Sequence, residues 1–195
     1  MEHAIIGAGG FGREIKAVMK IPDMKFFVDD NYEDLKNNIF GFSKFDPEKY
    51  IVIVAVADPK GRQDIVHRLP KETKYFTYID PTAQIHDGNV EIGEGSIICA
   101  GTIITTNVKI GRHAHLNLIT TIGHDCMIGD YFTTSPGVNV SGNCHIKDRV
   151  YIGTNASIKQ KLDICNDVTI GMNAAVVKNI TESGTYVGVP VKKIK

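Results

Sequence analysis

Two adjacent residues, His124 and Asp125, carry the side chains of a general acid–base pair. A carboxylate beside an imidazole can hold one ring nitrogen and leave the other to accept a proton near neutral pH. The pair follows Ile122 and Gly123, and the hexapeptide pattern described below predicts that His124 points outward into a groove. An outward histidine can also be merely solvated, and position alone does not separate these two interpretations.

Two further residues are placed to assist such a base. Gly142 lies 18 residues after His124, and we expect it to stack about 4.8 Å away, one coil later. A glycine there leaves room for a substrate, and its backbone N–H could stabilise a developing oxyanion. Asn117, seven residues before His124, could bind or orient a substrate. Its position alone favours the alternative of an asparagine that stabilises a turn.

A six-residue repeat is the pattern that positions these residues. Of the fifteen positions spaced by six from Ile92 to Val176, fourteen are Ile, Leu or Val, and Thr134 is the exception. A period of six fits neither an amphipathic helix nor an alternating strand, and it is typical of a parallel β-helix. Three hexads would form one triangular coil, so residues 18 apart should stack.

The phase of this repeat does not slip between residues 92 and 176, which predicts uninterrupted coils. Positions two before each aliphatic residue are mostly small or aliphatic and are predicted to face the core, Cys126 and Cys144 among them. Pro81, Ile85 and Gly88 predict a first coil that is shifted by one residue.

The first 78 residues alternate between strand and helix patterns, which predicts a small parallel sheet with crossover helices. Strands are predicted at 2–8, 25–28 and 51–57, with helices at 13–20 and from Asp58 to Leu69.

A glycine-rich loop, Gly7-Ala8-Gly9-Gly10-Phe11-Gly12, joins the first strand to the first helix. Glycines at a helix N-terminus can cradle a phosphate. The acidic pair Asp29-Asp30 could accept hydrogen bonds from a ribose or a base. A dinucleotide-binding fold is built from two βαβαβ halves, and this segment has room for one. A mononucleotide carrier is therefore favoured over a dinucleotide. A purely structural turn remains the alternative.

Composition narrows the function classes. The 22 basic and 22 acidic residues cancel, which argues against a nucleic acid or an anionic membrane as the main partner. No apolar run approaches the ~20 residues of a membrane span, and no signal-peptide pattern is present, so a cytoplasmic protein is expected. The four cysteines contain no CxxC motif and are predicted to be core residues in a reducing compartment.

The whole chain resembles the hexapeptide-repeat acyltransferases, in the branch of sialic acid O-acetyltransferase-like and nucleotide–amino-sugar N-acetyltransferases. The resemblance is carried by Leu116-Asn117, Gly123-His124-Asp125-Cys126, Ile128-Gly129-Asp130, Gly188-Val189-Pro190-Val191-Lys192, the loop at 7–12 and Phe27-Val28-Asp29-Asp30. It implies a Rossmann-like βαβαβ domain over residues 1–78 and a left-handed parallel β-helix with a short tail over residues 79–195. It also implies a homotrimer with active sites between subunits, acetyl-CoA as co-substrate, no permanently bound cofactor and no metal.

The resemblance implies roles residue by residue. His124 matches the base, Asp125 its acidic partner and Gly142 the oxyanion donor. Positions that bind the nucleotide sugar match Gly9, Gly10, Phe11, Asp29, Asp30 and Ala57. Positions that bind acetyl-CoA match Thr133, Gly142, Thr154 and Met172. Lys192, or alternatively Lys178 or Lys193, would lie near its phosphates, although the favoured alternative for these lysines is an ordinary solvated side chain. Thr133 stands where the family usually has a histidine, and Ala57-Asp58-Pro59 stands where it often has Gly-Asn-Asn.

The predicted function is transfer of an acetyl group from acetyl-CoA to the amino group of a nucleotide-linked 4-amino-dideoxy sugar, with a UDP-sugar favoured. His124 would remove a proton from the amine during direct attack on the thioester. One alternative is O-acetylation of sialic acid or a related sugar. Another, from a different class, is a binding or scaffold protein with a vestigial site, against which the intact His124–Asp125 pair argues.

Overall fold

The computed structural model describes residues 1–21, 23–86 and 89–195. The chain divides into two compact units, Met1–Thr77 and Tyr78–Lys195, and each is described by itself. Gly88, which the sequence places in the first coil, lies outside the described residues.

The N-terminal unit is a parallel sheet with helical crossovers. Its strands are β1 (Glu2–Ile6), β2 (Lys25–Val28), β3 (Ile39–Gly41), β4 (Tyr50–Val54) and β5 (Lys74–Tyr75); its α-helices are α1 (Gly10–Met19) and α2 (Pro59–Arg68), and its short 3-10 helices are Asp30–Tyr32, Leu35–Asn37 and Phe42–Lys44. The strand order is β3-β2-β1-β4-β5, with every pair parallel. This is the Rossmann-like architecture that the sequence predicts.

Local chemistry sets the ends of these elements. β1 ends at Ile6 because Gly7 takes a φ of +98°, which a glycine tolerates and an extended strand does not. α1 begins at Gly10, three residues before the predicted start, so the glycine-rich loop forms its first turn. α2 begins after Asp58, whose carboxylate accepts the Gly61 N–H at 2.7 Å. In the described part of the chain, no helix is both long and apolar enough to cross a lipid bilayer.

The C-terminal unit is a parallel β-helix built almost entirely from two-residue strands. They are β6 (Tyr78–Ile79), β7 (Gln84–Ile85), β8 (Glu91–Ile92), β9 (Ile97–Ile98), β10 (Ile103–Ile104), β11 (Lys109–Ile110), β12 (His115–Leu116), β13 (Thr121–Ile122), β14 (Met127–Ile128), β15 (Thr133–Thr134), β16 (Asn139–Val140), β17 (His145–Ile146), β18 (Tyr151–Ile152), β19 (Ser157–Ile158), β20 (Asp163–Ile164), β21 (Val168–Ile170), β22 (Ala175–Val176), β23 (Gly184–Val187) and β24 (Lys192–Lys193).

Stacking of successive coils groups these strands, among the described residues, into three sheets. Their orders are β22-β19-β16-β13-β10-β7, β20-β17-β14-β11-β8 and β24-β23-β21-β18-β15-β12-β9-β6. Pairing joins residues 18 apart, as in Ile104 with Ile122 and Ile110 with Ile128. The first coil is offset by one residue, since Ile85 pairs with Ile104, 19 positions away. The predicted parallel β-helix and its shifted first coil are both confirmed.

Two inward positions in each hexad fill the core of the β-helix. The repeat residues from Ile98 to Val176 are buried, Thr134 included, and so are residues two before them, such as Cys126 and Cys144. The corner residue three past each aliphatic residue takes the left-handed conformation in every hexad from residue 95 to 173. Asn107, Asp125 and Asn143 occupy three of these corners, with φ values of 55°, 59° and 58°. Asparagine and aspartate tolerate this conformation better than most residues.

Candidate active site

His124 and Asp125 form a hydrogen-bonded pair at the corner that follows β13. His124 Nδ1 lies 2.6 Å from Asp125 Oδ2. The imidazole is 56% exposed, as expected for the position two past the aliphatic residue. With Asp125 as acceptor, Nδ1 carries the proton, so Nε2 is left with a lone pair that can accept a proton.

Gly142 lies against the other side of the imidazole, one coil after His124. A Cβ added at Gly142 would lie 2.6 Å from His124 Nε2, so any larger residue there would collide with the ring. Among the described residues, none accepts a hydrogen bond from the Gly142 N–H. The corner that follows β14 differs, because there Asp148 accepts the N–H of Asp130 at 2.9 Å. A proton acceptor and an available N–H therefore lie side by side at the His124 corner.

The carboxylate of Asp125 has a second hydrogen-bond donor. Asn107, one coil earlier, donates from Nδ2 to Asp125 Oδ1 at 3.2 Å. The hydrogen bond from His124, followed by that from Asn107, holds the pKa of Asp125 below its usual range. Asp125 is therefore ionised at neutral pH and accepts through both oxygens.

In the N-terminal unit, the predicted nucleotide residues follow the carboxyl ends of three adjacent strands. Gly9 and Gly10 follow β1, Asp29 follows β2 and Ala57 follows β4. Ligands of open parallel sheets bind outside these strand ends. A Cβ added at Gly9 or Gly10 would meet nothing within 4 Å, whereas one at Gly12 would overlap the Gly7 carbonyl oxygen. Gly12 thus serves packing, while Gly9 and Gly10 leave an open approach to the helix N-terminus, with Phe11 in its first turn.

Asp29 and Asp30 line a cavity of about 400 Å³, together with Phe42 and Arg68. Arg68 Nη1 lies 2.8 Å from Asp29 Oδ1, and its guanidinium lies over the Phe42 ring at 5.4 Å. Asp30 Oδ1 accepts the Ser43 N–H at 2.9 Å, so this carboxylate caps a turn. Sequence reasoning missed Arg68 and Phe42, because nothing in the chain links residue 68 to residue 29 before the sheet forms.

Thr154 and Met172 lie together but at a different corner from His124. They follow β18 and β21, and the Thr154 carbonyl accepts the Asn173 N–H at 2.8 Å. Met172 is 72% exposed. Lys192 lies on β24, which pairs with β23, and is exposed. These candidate acetyl-CoA residues therefore do not form one cluster with His124 within this chain.

Two further candidate residues, Thr133 and Asn117, lie in or next to strands of one sheet. Thr133 lies within β15 and is only 3% exposed, so its hydroxyl offers no open contact in this chain. Asn117 follows β12, and its Oδ1 accepts the Leu118 N–H at 2.7 Å. That contact matches the turn-stabilising role that was the alternative for Asn117.

Comparison with known proteins gives matches over both units. Residues 3–69 match the family described as PglD N-terminal domain. A GDP-perosamine N-acetyltransferase from Escherichia coli O157:H7 is 35% identical over 157 residues, covering 72% of this chain and 70% of that protein.

Solved structures match along the full length. WeeI from Acinetobacter baumannii AYE is 32% identical with a TM-score of 0.89, covering 98% of this chain and 99% of that chain. The acetyltransferase domain of PglB from Neisseria gonorrhoeae FA1090 is 27% identical with a TM-score of 0.87, covering 98% of each chain, and it has also been solved in complex with acetyl coenzyme A.

Proposed function

We propose, since the chain belongs to the hexapeptide-repeat sugar acetyltransferase family, that it transfers the acetyl group of acetyl-CoA to the amino group of a nucleotide-linked amino sugar. The 35% identical relative, whose name specifies N-acetylation of a nucleotide sugar, supports this acceptor class. The observation that carries the proposal is the His124–Asp125 pair lying against Gly142. It supplies a base and an open N–H at one corner.

The proposed reaction is direct attack. The amine nitrogen attacks the thioester carbonyl carbon while His124 Nε2 takes a proton from the nitrogen, so the C–N bond forms and the C–S bond then breaks. The Gly142 N–H stabilises the oxyanion of the tetrahedral intermediate. Coenzyme A leaves as a thiolate, which needs little acid assistance because a thiol has a pKa of about 8.5. No step of this sequence calls on a metal ion.

In this proposal the N-terminal unit binds the nucleotide. Gly9, Gly10 and Phe11 receive the diphosphate at the N-terminus of α1, and Asp29, Asp30 and Ala57 lie at the same sheet edge. Arg68 joins them, since its guanidinium already rests on an aromatic ring beside the cavity. The sequence favours a uridine carrier, whereas the curated relative's name specifies guanosine diphosphate. We therefore assign the carrier as a nucleoside diphosphate, and the assay described next identifies its nucleobase.

The test is release of CoA thiol from acetyl-CoA with a panel of UDP-, dTDP- and GDP-linked 4-amino-dideoxy sugars and free sialic acid. We expect saturable turnover with one nucleotide amino sugar. Turnover with sialic acid alone would replace this proposal with O-acetylation. Nucleotide binding without turnover of any acceptor would favour a binding protein with a vestigial site.

Replacing Gly10 with leucine should weaken nucleotide-sugar binding without unfolding the protein. The added side chain enters open space at the start of a helix, and leucine is a good helix former. It would, however, obstruct the phosphates at the helix N-terminus. We expect the Kd measured by calorimetry to rise about tenfold or more, with an unchanged Tm. The contrasting variant Gly12→Ala should lower Tm, and equal affinity in Gly10→Leu would contradict this phosphate site.

The proposed assembly is a homotrimer with active sites between subunits. Its support is the separation of the His124 corner from the corner that holds Thr154 and Met172, which follow strands of different sheets in one chain. In the proposal, a neighbouring subunit brings its Thr154, Met172 and Lys192 to the His124 corner to hold acetyl-CoA. Sedimentation should then give three times the 21.4 kDa chain mass, and a monomer that turns over substrate would contradict this arrangement.

A further inference from the structure

A column of polar side chains runs along the corner that contains Asp125. Asn89, Asn107 and Asp125 are each 18 residues apart, so each stands one coil from the next. Asn89 Nδ2 donates to Asn107 Oδ1 at 3.2 Å, and Asn107 Nδ2 donates to Asp125 Oδ1 at 3.2 Å. Asp125 in turn is paired with His124, and Asn143, one coil later at the same corner, has its Nδ2 3.5 Å from His124 Nδ1.

These contacts restrict how the Asp125 carboxylate can turn. Oδ1 accepts from Asn107 and Oδ2 accepts from His124 Nδ1, so rotation of the carboxylate would break both hydrogen bonds. The Asn107 amide is itself held, because its oxygen accepts from Asn89 and its NH₂ group then faces Asp125. The backbone of Asp125 is fixed as well, since its N–H donates to the Thr106 carbonyl at 3.0 Å.

We propose that Asn107 is a positioning residue for acetyl transfer, which acts through Asp125 to hold the His124 ring with Nε2 against Gly142. The inference rests on the proposed function, because it assigns Asn107 to the same base. Asn107 does not touch the imidazole. It fixes one carboxylate oxygen, which leaves the other aimed at Nδ1 and keeps the ring in the tautomer that a base requires.

An asparagine at a left-handed corner can also be there for its backbone alone. Asn155 provides the comparison, because it has a φ of 57° at the corner after β18. The residues one coil before and after it are Gly137 and Asn173, so its column carries no carboxylate. Asn107 and Asn155 therefore share a backbone role, and contact with the base pair distinguishes Asn107.

The experiment compares Asn107→Gly with Asn155→Gly, because glycine keeps the left-handed backbone without strain. We expect Asn107→Gly to lower kcat about tenfold with an unchanged KM, because a small displacement of a catalytic group is costly. Asn155→Gly should leave both constants unchanged. In an Asp125→Ala background, adding Asn107→Gly should cause no further loss, since Asn107 would act through a residue that is now missing.

A second readout separates positioning from stability. In ¹³C NMR titrations, the pKa of Asp125 should rise towards its ordinary value in Asn107→Gly and stay constant in Asn155→Gly, because a donor to the ionised carboxylate is lost. An unchanged kcat and Asp125 pKa in Asn107→Gly, while His124→Ala is inactive, would overturn this inference alone. Full activity of His124→Ala would instead overturn the proposed base.

Discussion

Replacing His124 with alanine should lower kcat by about 10²–10⁴-fold, the usual contribution of a general base. Without the imidazole, nothing at this corner accepts the proton as the amine attacks the thioester. Asp125 cannot substitute, because its carboxylate lies on the Nδ1 side of the ring and is held there by Asn107. The measurement is initial-rate CoA-thiol release with the acceptor identified from the nucleotide-sugar panel.

The matched control for this variant is His145→Ala. His145 is also an exposed histidine beside a carboxylate, with its Nδ1 3.1 Å from Asp163 Oδ1. It lies within β17, and therefore not at the corner after β13 that holds His124. We expect His145→Ala to keep full activity. Equal losses in the two variants would show that the assay reports general surface electrostatics rather than the base.

Replacing Gly142 with alanine should lower kcat by about 10²-fold, although only one methyl group is added. The new Cβ would lie 2.6 Å from His124 Nε2 and 2.7 Å from Cε1, so the imidazole must move away. The Gly142 N–H remains in the variant, so the loss would measure displacement of the base rather than loss of the oxyanion donor. Because the ring is exposed and can move into solvent at the cost of its hydrogen bond to Asp125, Tm should change little.

Gly123→Ala is the structural counterpart of Gly142→Ala. A Cβ there would lie 2.6 Å from the backbone nitrogen of Gly142, and backbone cannot yield as a side chain does. Gly123→Ala should therefore lower Tm together with activity. Full activity with the ring unmoved in Gly142→Ala would contradict the close approach of residue 142 to the base.

The β-helix was predictable from the sequence because its repeat has a fixed period. Once the aliphatic residues were read in sixes, the stacking of Gly142 on the His124 corner followed from their spacing of 18. The same spacing of 18 places Asn107 one coil before Asp125. The sequence could therefore have indicated that Asn107 is a neighbour of the base pair, although this was not predicted. What spacing could not supply was the direction of the Asn107 amide, which depends on the hydrogen bond from Asn89.

The N-terminal unit was predictable in outline only. β2 was predicted with its observed bounds, whereas β3 is a three-residue edge strand whose sequence Ile-Phe-Gly has no alternating pattern. The ion pair of Asp29 with Arg68 joins residues 39 positions apart and depends on the packing of α2. Thr133 could not be predicted as buried, because outward positions in other strands, such as Met127, are exposed.

The unbroken 18-residue register also limits how the gene for this half of the molecule can change in length. Deleting one codon between Ile98 and Ile170 would turn each later aliphatic residue out of the core and move each later corner residue out of its left-handed position. Insertions and deletions there should be tolerated in multiples of 54 nucleotides, the length that encodes one whole coil. The first coil, in which β6 and β7 pair across 19 residues and β8 across 18, shows that a single extra residue is accommodated at the end of the stack.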